Sequence, residues 1–179
     1  KTLAGSIAQN VVAKGATRVA VLNVPAITKT PRFQVVLASI AQAAGGGDQG
    51  AAAAAKQEAS FDALVQVFNN QLAASLAGQS QVVLVDFYTE FKSQISNPAQ
   101  YDFDNVKDPV CPITGVDESG LPSYTFPTCT AAALSATPGK SSPDWWQHHV
   151  FADSFHPTPY GHQQMSQLVS RSLAQKGWL

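Results

Sequence analysis

The sequence predicts an α/β fold built on a doubly wound parallel sheet, and three observations carry that prediction. Two short Val-rich runs, "RVAVLNV" and "QVVLVDFY", are nearly continuous in apolar residues, the pattern of parallel strands covered on both faces. The segments around them repeat apolar residues at helical spacing. The two patterns alternate along the chain, as they do in βαβ units. With 179 residues, 45% of them hydrophobic, the chain has the size of one domain with a buried core.

Taken in order, residues 1–14 read as an amphipathic helix with Leu3, Ile7 and Val11 on one face, ended by Gly15. "RVAVLNV" is the first strand, and Pro25 closes it. After "PAITKTP", the residues Phe33, Val36, Leu37 and Ile40 mark a helix that "GGGDQG" interrupts. This Gly-rich stretch lacks the GK[ST] ending of a phosphate loop and follows no strand, so it is a turn into a helix and not a nucleotide site. Residues 51–77 form the longest helix, with Phe61, Leu64, Val65, Phe68, Leu72 and Leu76 as its stripe and Gly78 as its end.

"QVVLVDFY" is the second strand. Asp86 at its carboxyl end fits the N-cap of a helix over "YTEFKSQI", and a ligand-facing carboxylate is the other role open to it. From Asn97 to about position 148 the chain reads as one long irregular loop. "WWQHHVFAD" supplies a short extended segment, making about three strands in all. The last helix follows "HPTP", with Thr158 as N-cap, Pro159 in the first helical position, and Met165, Leu168, Val169 and Leu173 as its buried stripe.

Charge narrows the function. The 11 basic residues are scattered among 12 acidic ones for a formal net charge of −1, so the basic stripe of a nucleic-acid-binding surface is missing. No apolar run reaches the roughly 18 residues that a membrane-spanning helix needs. Cys111 and Cys129 flank a Pro-, Gly- and Thr-rich segment, and a bridge across it would offset about 3 kcal/mol of chain entropy. They are read as a disulfide, which places the protein in an oxidising setting: secreted, periplasmic or at the cell surface. Two unrelated buried thiols are the alternative; a zinc site lacks its CxxC knuckle.

The chemistry concentrates in "FADSFHPTPYGH", residues 151–162. In "DSFH" the carboxylate of Asp153 can fold back on the imidazole of His156, set its tautomer and stabilise the imidazolium that forms when the ring takes a proton. Pro157 steers His156 away from helical backbone angles and leaves the ring on a loop between strand and helix. On spacing alone the pair reads as an ordinary surface hydrogen bond sooner than as a catalytic pair. A metal site is the sharper rival, because His148, His149, His156, His162 and Asp153 lie close in sequence, but none of their spacings makes an HExxH pair.

"VFADSFHPTPYGHQQMSQLV" resembles the final block of the SGNH, or GDSL, hydrolases, in which Asp-x-x-His-Pro-Thr closes the catalytic triad before the last helix. Other segments resemble the family in the same order: "GATRVAVLNVPAITKTPRF" its strand and Pro-containing loop, "FNNQLAASLA" its Phe-Asn helix, and "VVLVDFYTEFKSQISNPAQYDF" the strand and Asn-Pro segment that follow. The group of nearest resemblance is the bacterial secreted and autotransporter esterases, lecithinases and glycerophospholipid acyltransferases. The resemblance implies a flavodoxin-like SGNH-hydrolase fold, ester hydrolysis or acyl transfer with no metal or other cofactor, an ester or lipid substrate, and catalytic roles for Asp153 and His156.

The family's nucleophile lies in an N-terminal Gly-Asp-Ser motif, and its oxyanion hole uses that Ser, a Gly and the Asn of a Gly-x-Asn-Asp motif. None of these stands in the chain. Ser6, Ser80 and Ser119 each sit at the wrong end of an element to replace the missing serine. The chain also opens without an initiator Met or a leader pattern. The expectation is therefore that residues 1–179 are the carboxyl-terminal portion of a single hydrolase domain, that the N-terminal strands are missing from it, and that an N-terminal fragment of the same precursor is its partner. A catalytically inactive binding module of the same fold is the competing expectation. No substrate-binding residue is legible; Tyr124, Phe126, Trp145 and Trp146 are candidates either for an acyl pocket or for plain packing.

Overall fold

The computed structural model describes residues 2–179. Its centre is a parallel pair, β1 (Val19–Leu22) and β2 (Val82–Val85), in register from Val19 opposite Val82 to Leu22 opposite Val85. Side chains alternate across a strand, so Val19, Val21, Val82 and Leu84 share one face. There α1 (Thr2–Asn10) and α3 (Gly47–Leu76) cover them through Ala4, Ile7, Leu72 and Leu76. The last helix, α6 (Pro159–Gln175), packs against β2.

Coverage of the two strands is unequal, and this corrects the reading of both as buried. Val82 and Val85 of β2 are buried, but Ala20 of β1 is exposed and Leu22 is 37% exposed. Among the described residues each strand pairs on one side only, so β1 has an open outer edge. An apolar run specifies a capacity for burial; what covers it comes from elsewhere in the chain. The third expected strand is also absent from this sheet: the "WWQHHVFAD" segment makes only isolated bridges, Asn105 with His149 and Phe151 with Pro157.

The helices follow their sequence signals with local rotations. Thr30 caps α2 (Pro31–Ala43) by accepting from the Phe33 N–H, with Pro31 in the first turn. Gly45, Gly46 and Gly47 then carry φ of 97°, 70° and 53°, a left-handed run that glycine adopts without strain. The next helix begins at Gly47 instead of 51, and within its first turn Gly50 lies directly against α2, where a Cβ would run into the Ala41 carbonyl oxygen. On α3, Leu64 and Phe68 of the predicted stripe are 65% and 42% exposed. Asn69 takes the buried position instead. Its Oδ1 accepts from the Val24 N–H at 2.9 Å and its Nδ2 donates to the Val24 carbonyl at 2.8 Å, so a polar side chain bonded at both its oxygen and its nitrogen holds the inward position. On α1, likewise, Ala4 and Ile7 face inward while Leu3 is exposed; the helix ends at Asn10, so Val11 of the predicted stripe lies beyond it and is exposed too.

Asp86 is the N-cap of α4 (Phe87–Ser96). Its Oδ1 accepts from the Thr89 N–H at 3.1 Å and from Asn23 Nδ2 at 2.8 Å, and Asn23 Oδ1 accepts from the Tyr88 N–H at 2.8 Å. Burial pushes the Asp86 carboxyl up, but the hydrogen bonds from Thr89 and Asn23 together outweigh it and leave the group below the usual carboxylate range.

The stretch from Asn97 to 148 is more ordered than a long irregular loop. It holds an antiparallel hairpin, β3 (Ile113–Val116) with β4 (Pro122–Tyr124), and a short helix, α5 (Ala131–Ser135). The hairpin turn is built by Asp117, whose Oδ1 accepts from the Ser119 and Leu121 N–H groups, with Gly120 at φ 75°. Its strands are three and four residues long and show no alternating period, so the hairpin was not legible as strand. The Cys111–Cys129 disulfide is formed, with Cα atoms 5.4 Å apart, and packs with Val110, Leu134, Trp145 and Trp146.

Candidate active site

The site starts from its anchor. Val150 and Phe151 are buried beside Ala26, Phe87, Phe91 and Phe103, and Phe91 meets the Phe151 ring edge-on at 6.1 Å. Backbone bonds fix this segment against the long connection: the Val150 N–H donates to the Asn105 carbonyl, and the Val110 and Cys111 N–H groups donate to the Phe151 and Ala152 carbonyls. Immediately beyond it the chain turns. The Ala152 N–H donates to the His156 carbonyl at 2.8 Å, and Asp153 Oδ1 accepts from the N–H groups of both Phe155 and His156 at 2.6 Å.

That turn points the second carboxylate oxygen at the imidazole. Asp153 Oδ2 lies 2.7 Å from His156 Nδ1, with the Asp153 side chain 4% exposed and the His156 side chain 67% exposed. An ionised carboxylate only accepts, so Nδ1 carries the proton and Nε2 is left as the basic nitrogen on the exposed ring. Sequence analysis named both residues, and the structure brings them together.

Two other elements hold the turn. The Arg32 N–H, in the first turn of α2, donates to the Ser154 carbonyl at 2.7 Å. Thr158 donates through Oγ1 to the His149 carbonyl at 2.6 Å, accepts from the Gly161 N–H, and so ties the loop to the start of α6. Gly161 is required by proximity: a Cβ there would lie 2.8 Å from Pro157 Cβ and 3.0 Å from the Val150 carbonyl oxygen.

His156 and Asp153 line a depression of about 260 Å³ with Arg32, Tyr124, Phe126 and Phe155. A larger cavity of about 560 Å³ adjoins it, the two sharing Pro122, Tyr124 and Ser154. The Tyr124 hydroxyl is buried at this junction, against Ser154 but short of hydrogen-bonding geometry. Burial pushes its phenol up from the ordinary value, and the Asp153 carboxylate adds to the rise. Sequence reading did not place Arg32, and it left Tyr124 open. Tyr124 reaches the site only through the unforeseen hairpin, and Arg32 only through the docking of α2. Trp145 and Trp146 pack around the disulfide, with Trp145 Nε1 donating to the Leu134 carbonyl at 2.8 Å.

His148 and His149 go elsewhere, and His162 is exposed on α6. His148 Nδ1 lies 2.6 Å from the Asp102 carbonyl oxygen and its ring rests on Tyr160, while the buried His149 places Nδ1 3.1 Å from the Asp108 carbonyl oxygen. Among the described residues, no group of three or more His, Cys, Asp or Glu side chains converges as a metal cage. Ser6, Ser80 and Ser119 do not line the depression that holds His156.

A buried carboxylate holding an exposed imidazole, on a loop that enters the last helix, now stands beside the comparison with known sequences. Residues 1–169 match the family model described as GDSL-like Lipase/Acylhydrolase. The chain belongs to this family. A GDSL esterase/lipase of Arabidopsis thaliana is 32% identical over 108 residues, covering 57% of the chain and 24% of the plant protein. The chain thus spans about a quarter of the length of this curated relative. Membership in the GDSL family implies the SGNH α/β hydrolase fold, and the described residues contribute to it a two-stranded parallel sheet with flanking helices. No helix of this GDSL chain, among the described residues, is long and apolar enough to cross a membrane.

Proposed function

We propose that residues 1–179 are the carboxyl-terminal portion of one SGNH-hydrolase domain that cleaves carboxylic esters, as an esterase, lipase or phospholipase-type acyl hydrolase or acyltransferase. The observation that carries this reading is the 2.7 Å contact between the buried Asp153 carboxylate and the exposed His156 ring. In the reaction, His156 Nε2 takes the proton of a serine hydroxyl as the oxygen attacks the ester carbonyl. Asp153 orients the ring and stabilises the imidazolium. His156 then returns the proton to the departing alcohol, and water or a second alcohol resolves the acyl enzyme.

The serine and the oxyanion donors belong to an N-terminal fragment of the same precursor carrying Gly-Asp-Ser. Two features support this. The chain has no Gly-Asp-Ser motif, and β1 offers an open outer edge with Leu22 uncovered, where further parallel strands complete the sheet. The disulfide favours a secreted, periplasmic or cell-surface protein, and the segments quoted above favour the bacterial secreted and autotransporter group.

The test uses the full-length protein. His156→Ala lowers kcat on short-chain esters by about a millionfold, and Asp153→Asn by about ten-thousandfold, with circular dichroism and thermal midpoint close to wild type. Turnover by His156→Ala within about tenfold of wild type refutes the assignment. Wild-type protein that neither hydrolyses esters nor is labelled by a serine-directed phosphonate is instead a binding module that keeps the fold.

A further inference from the structure

A cavity of about 440 Å³ is lined by Asp104 and by residues of the segment 140–149. It shares no lining residue with the depression that holds His156 or with the larger cavity beside that depression, so the proposed reaction gives it no role. Its volume falls within the range of small-molecule sites. Its wall is polar: two carboxylates, two imidazoles, a lysine and two serine hydroxyls line it, and Trp145 is the only large apolar side chain among them.

Both imidazoles are fixed in one tautomer. His148 Nδ1 lies 2.6 Å from the Asp102 carbonyl oxygen and His149 Nδ1 lies 3.1 Å from the Asp108 carbonyl oxygen. A carbonyl only accepts, so each Nδ1 carries the proton and each Nε2 is left as an acceptor. Neither Nε2 has a hydrogen-bond partner among the described residues. His149 is only 8% exposed, so its open nitrogen is a polar atom inside the protein that a molecule in the cavity would satisfy. Lys140 Nζ sits 3.8 Å over the centre of the Trp145 ring, and among the described residues it forms no ion pair with Asp104 or Asp144. The cavity therefore presents a cationic donor, two carboxylate acceptors and two neutral acceptors that do not satisfy one another.

These groups select by exclusion. Two carboxylates disfavour an anion, the lysine disfavours a cation, and a polar wall offers no burial to a hydrocarbon. Among the described residues the carboxylates and imidazoles do not converge as a metal cage. What fits is a neutral molecule whose groups both donate and accept. Adjacent ring hydroxyls do this: they can donate to Asp104, Asp144 and the two Nε2 atoms and accept from Lys140. We propose that this cavity binds a neutral sugar ring, of the kind a polysaccharide presents, and holds the protein on that material. The inference is independent of the reading of Asp153 and His156, because the two places share no residue.

The experiment is saturation-transfer NMR on the full-length protein with D-glucose, D-galactose, D-mannose, N-acetyl-D-glucosamine, maltose and cellobiose, and with D-glucosamine and D-glucuronate as charged controls. At least one neutral sugar binds with a Kd of about 1 mM, and both charged controls bind about tenfold more weakly or not at all. Asp104 and Lys140 are exposed, so Asp104→Ala and Lys140→Ala leave folding intact. Each raises the Kd of that sugar about tenfold, the loss of one hydrogen bond to a charged group. Binding persists in His156→Ala, and ester turnover by wild type is unchanged when the sugar is saturating. No binding up to about 50 mM across the neutral sugars, an unchanged Kd in both variants, or tighter binding of a charged control overturns the proposal. So does a sugar that competes with the ester, which places it beside His156 instead. Octyl β-D-glucopyranoside separates a sugar from a lipid surface: binding only above its micelle concentration, with no binding of free sugars, also refutes the site. If one variant does not fold, the other decides alone.

Discussion

Replacing Gly161 by Ala adds one methyl at the point where α6 meets the loop that bears His156, and the distances set the consequence. The new Cβ would stand 2.8 Å from Pro157 Cβ, about 0.6 Å short of an ordinary 3.4 Å contact, and 3.0 Å from the Val150 carbonyl oxygen. Neither neighbour is a flexible side-chain end: Pro157 is a ring fused to the backbone, and Val150 is buried in the core and bonded through its carbonyl to the Thr158 N–H. The strain of such overpacking is about 1–3 kcal/mol, which offsets the gain from replacing a helical glycine, about 1 kcal/mol at most. A net loss of about 1 kcal/mol lowers the thermal midpoint by roughly 2–4 °C. Pro157 follows His156 directly, so relief of the clash moves the imidazole. Displacement of a catalytic group by a fraction of an ångström to an ångström costs about ten- to a hundredfold in kcat/KM. Calorimetry and ester kinetics on the full-length Gly161→Ala protein test both parts. The control is Gly5→Ala in α1, where a Cβ meets nothing within 4 Å and stability rises instead. A Gly161→Ala protein as stable and as active as wild type refutes the claim that this contact sets the loop.

Two further predictions concern stability away from the dyad. Replacing both Cys111 and Cys129 by Ser frees a loop with a sequence separation of 18 and destabilises the protein by about 3 kcal/mol, read from denaturant midpoints; an unchanged midpoint shows that the hairpin and α5 are held by packing alone. Asp86 has a folded-state pKa below its unfolded value, so its contribution is full above the unfolded pKa and is lost as pH falls through the folded one. The stability of Asp86→Asn therefore declines less steeply than wild type on the acid side in urea titrations at successive pH values, and parallel curves would remove Asp86 from that account.

Much of the site was legible because its signals are local. The cap at Thr158, the Pro at 159, the cap at Asp86 and the three-residue step from Asp153 to His156 are each satisfied within one turn of chain, where residue type and spacing determine geometry. The Cys pair was readable for a related reason: an irregular loop of that length is costly to order without a bridge. The rotation of α3 was not legible, because Asn69 is buried only by bonding Val24, far away in sequence, and a stripe of Leu and Phe does not announce that a polar residue will take its centre.

The sequence by itself determined the α/β class, the limits of the five longer helices to within a few residues, and the pairing of Asp153 with His156. Tertiary structure alone decided that the carboxylate is buried while the ring stays exposed, that Arg32 and Tyr124 stand beside them, and that β1 is uncovered where β2 is not. The division follows from range. Caps, turns and short side-chain contacts depend on neighbours in the chain, whereas burial depends on which distant segment arrives to exclude water, and that is settled only when all segments pack together.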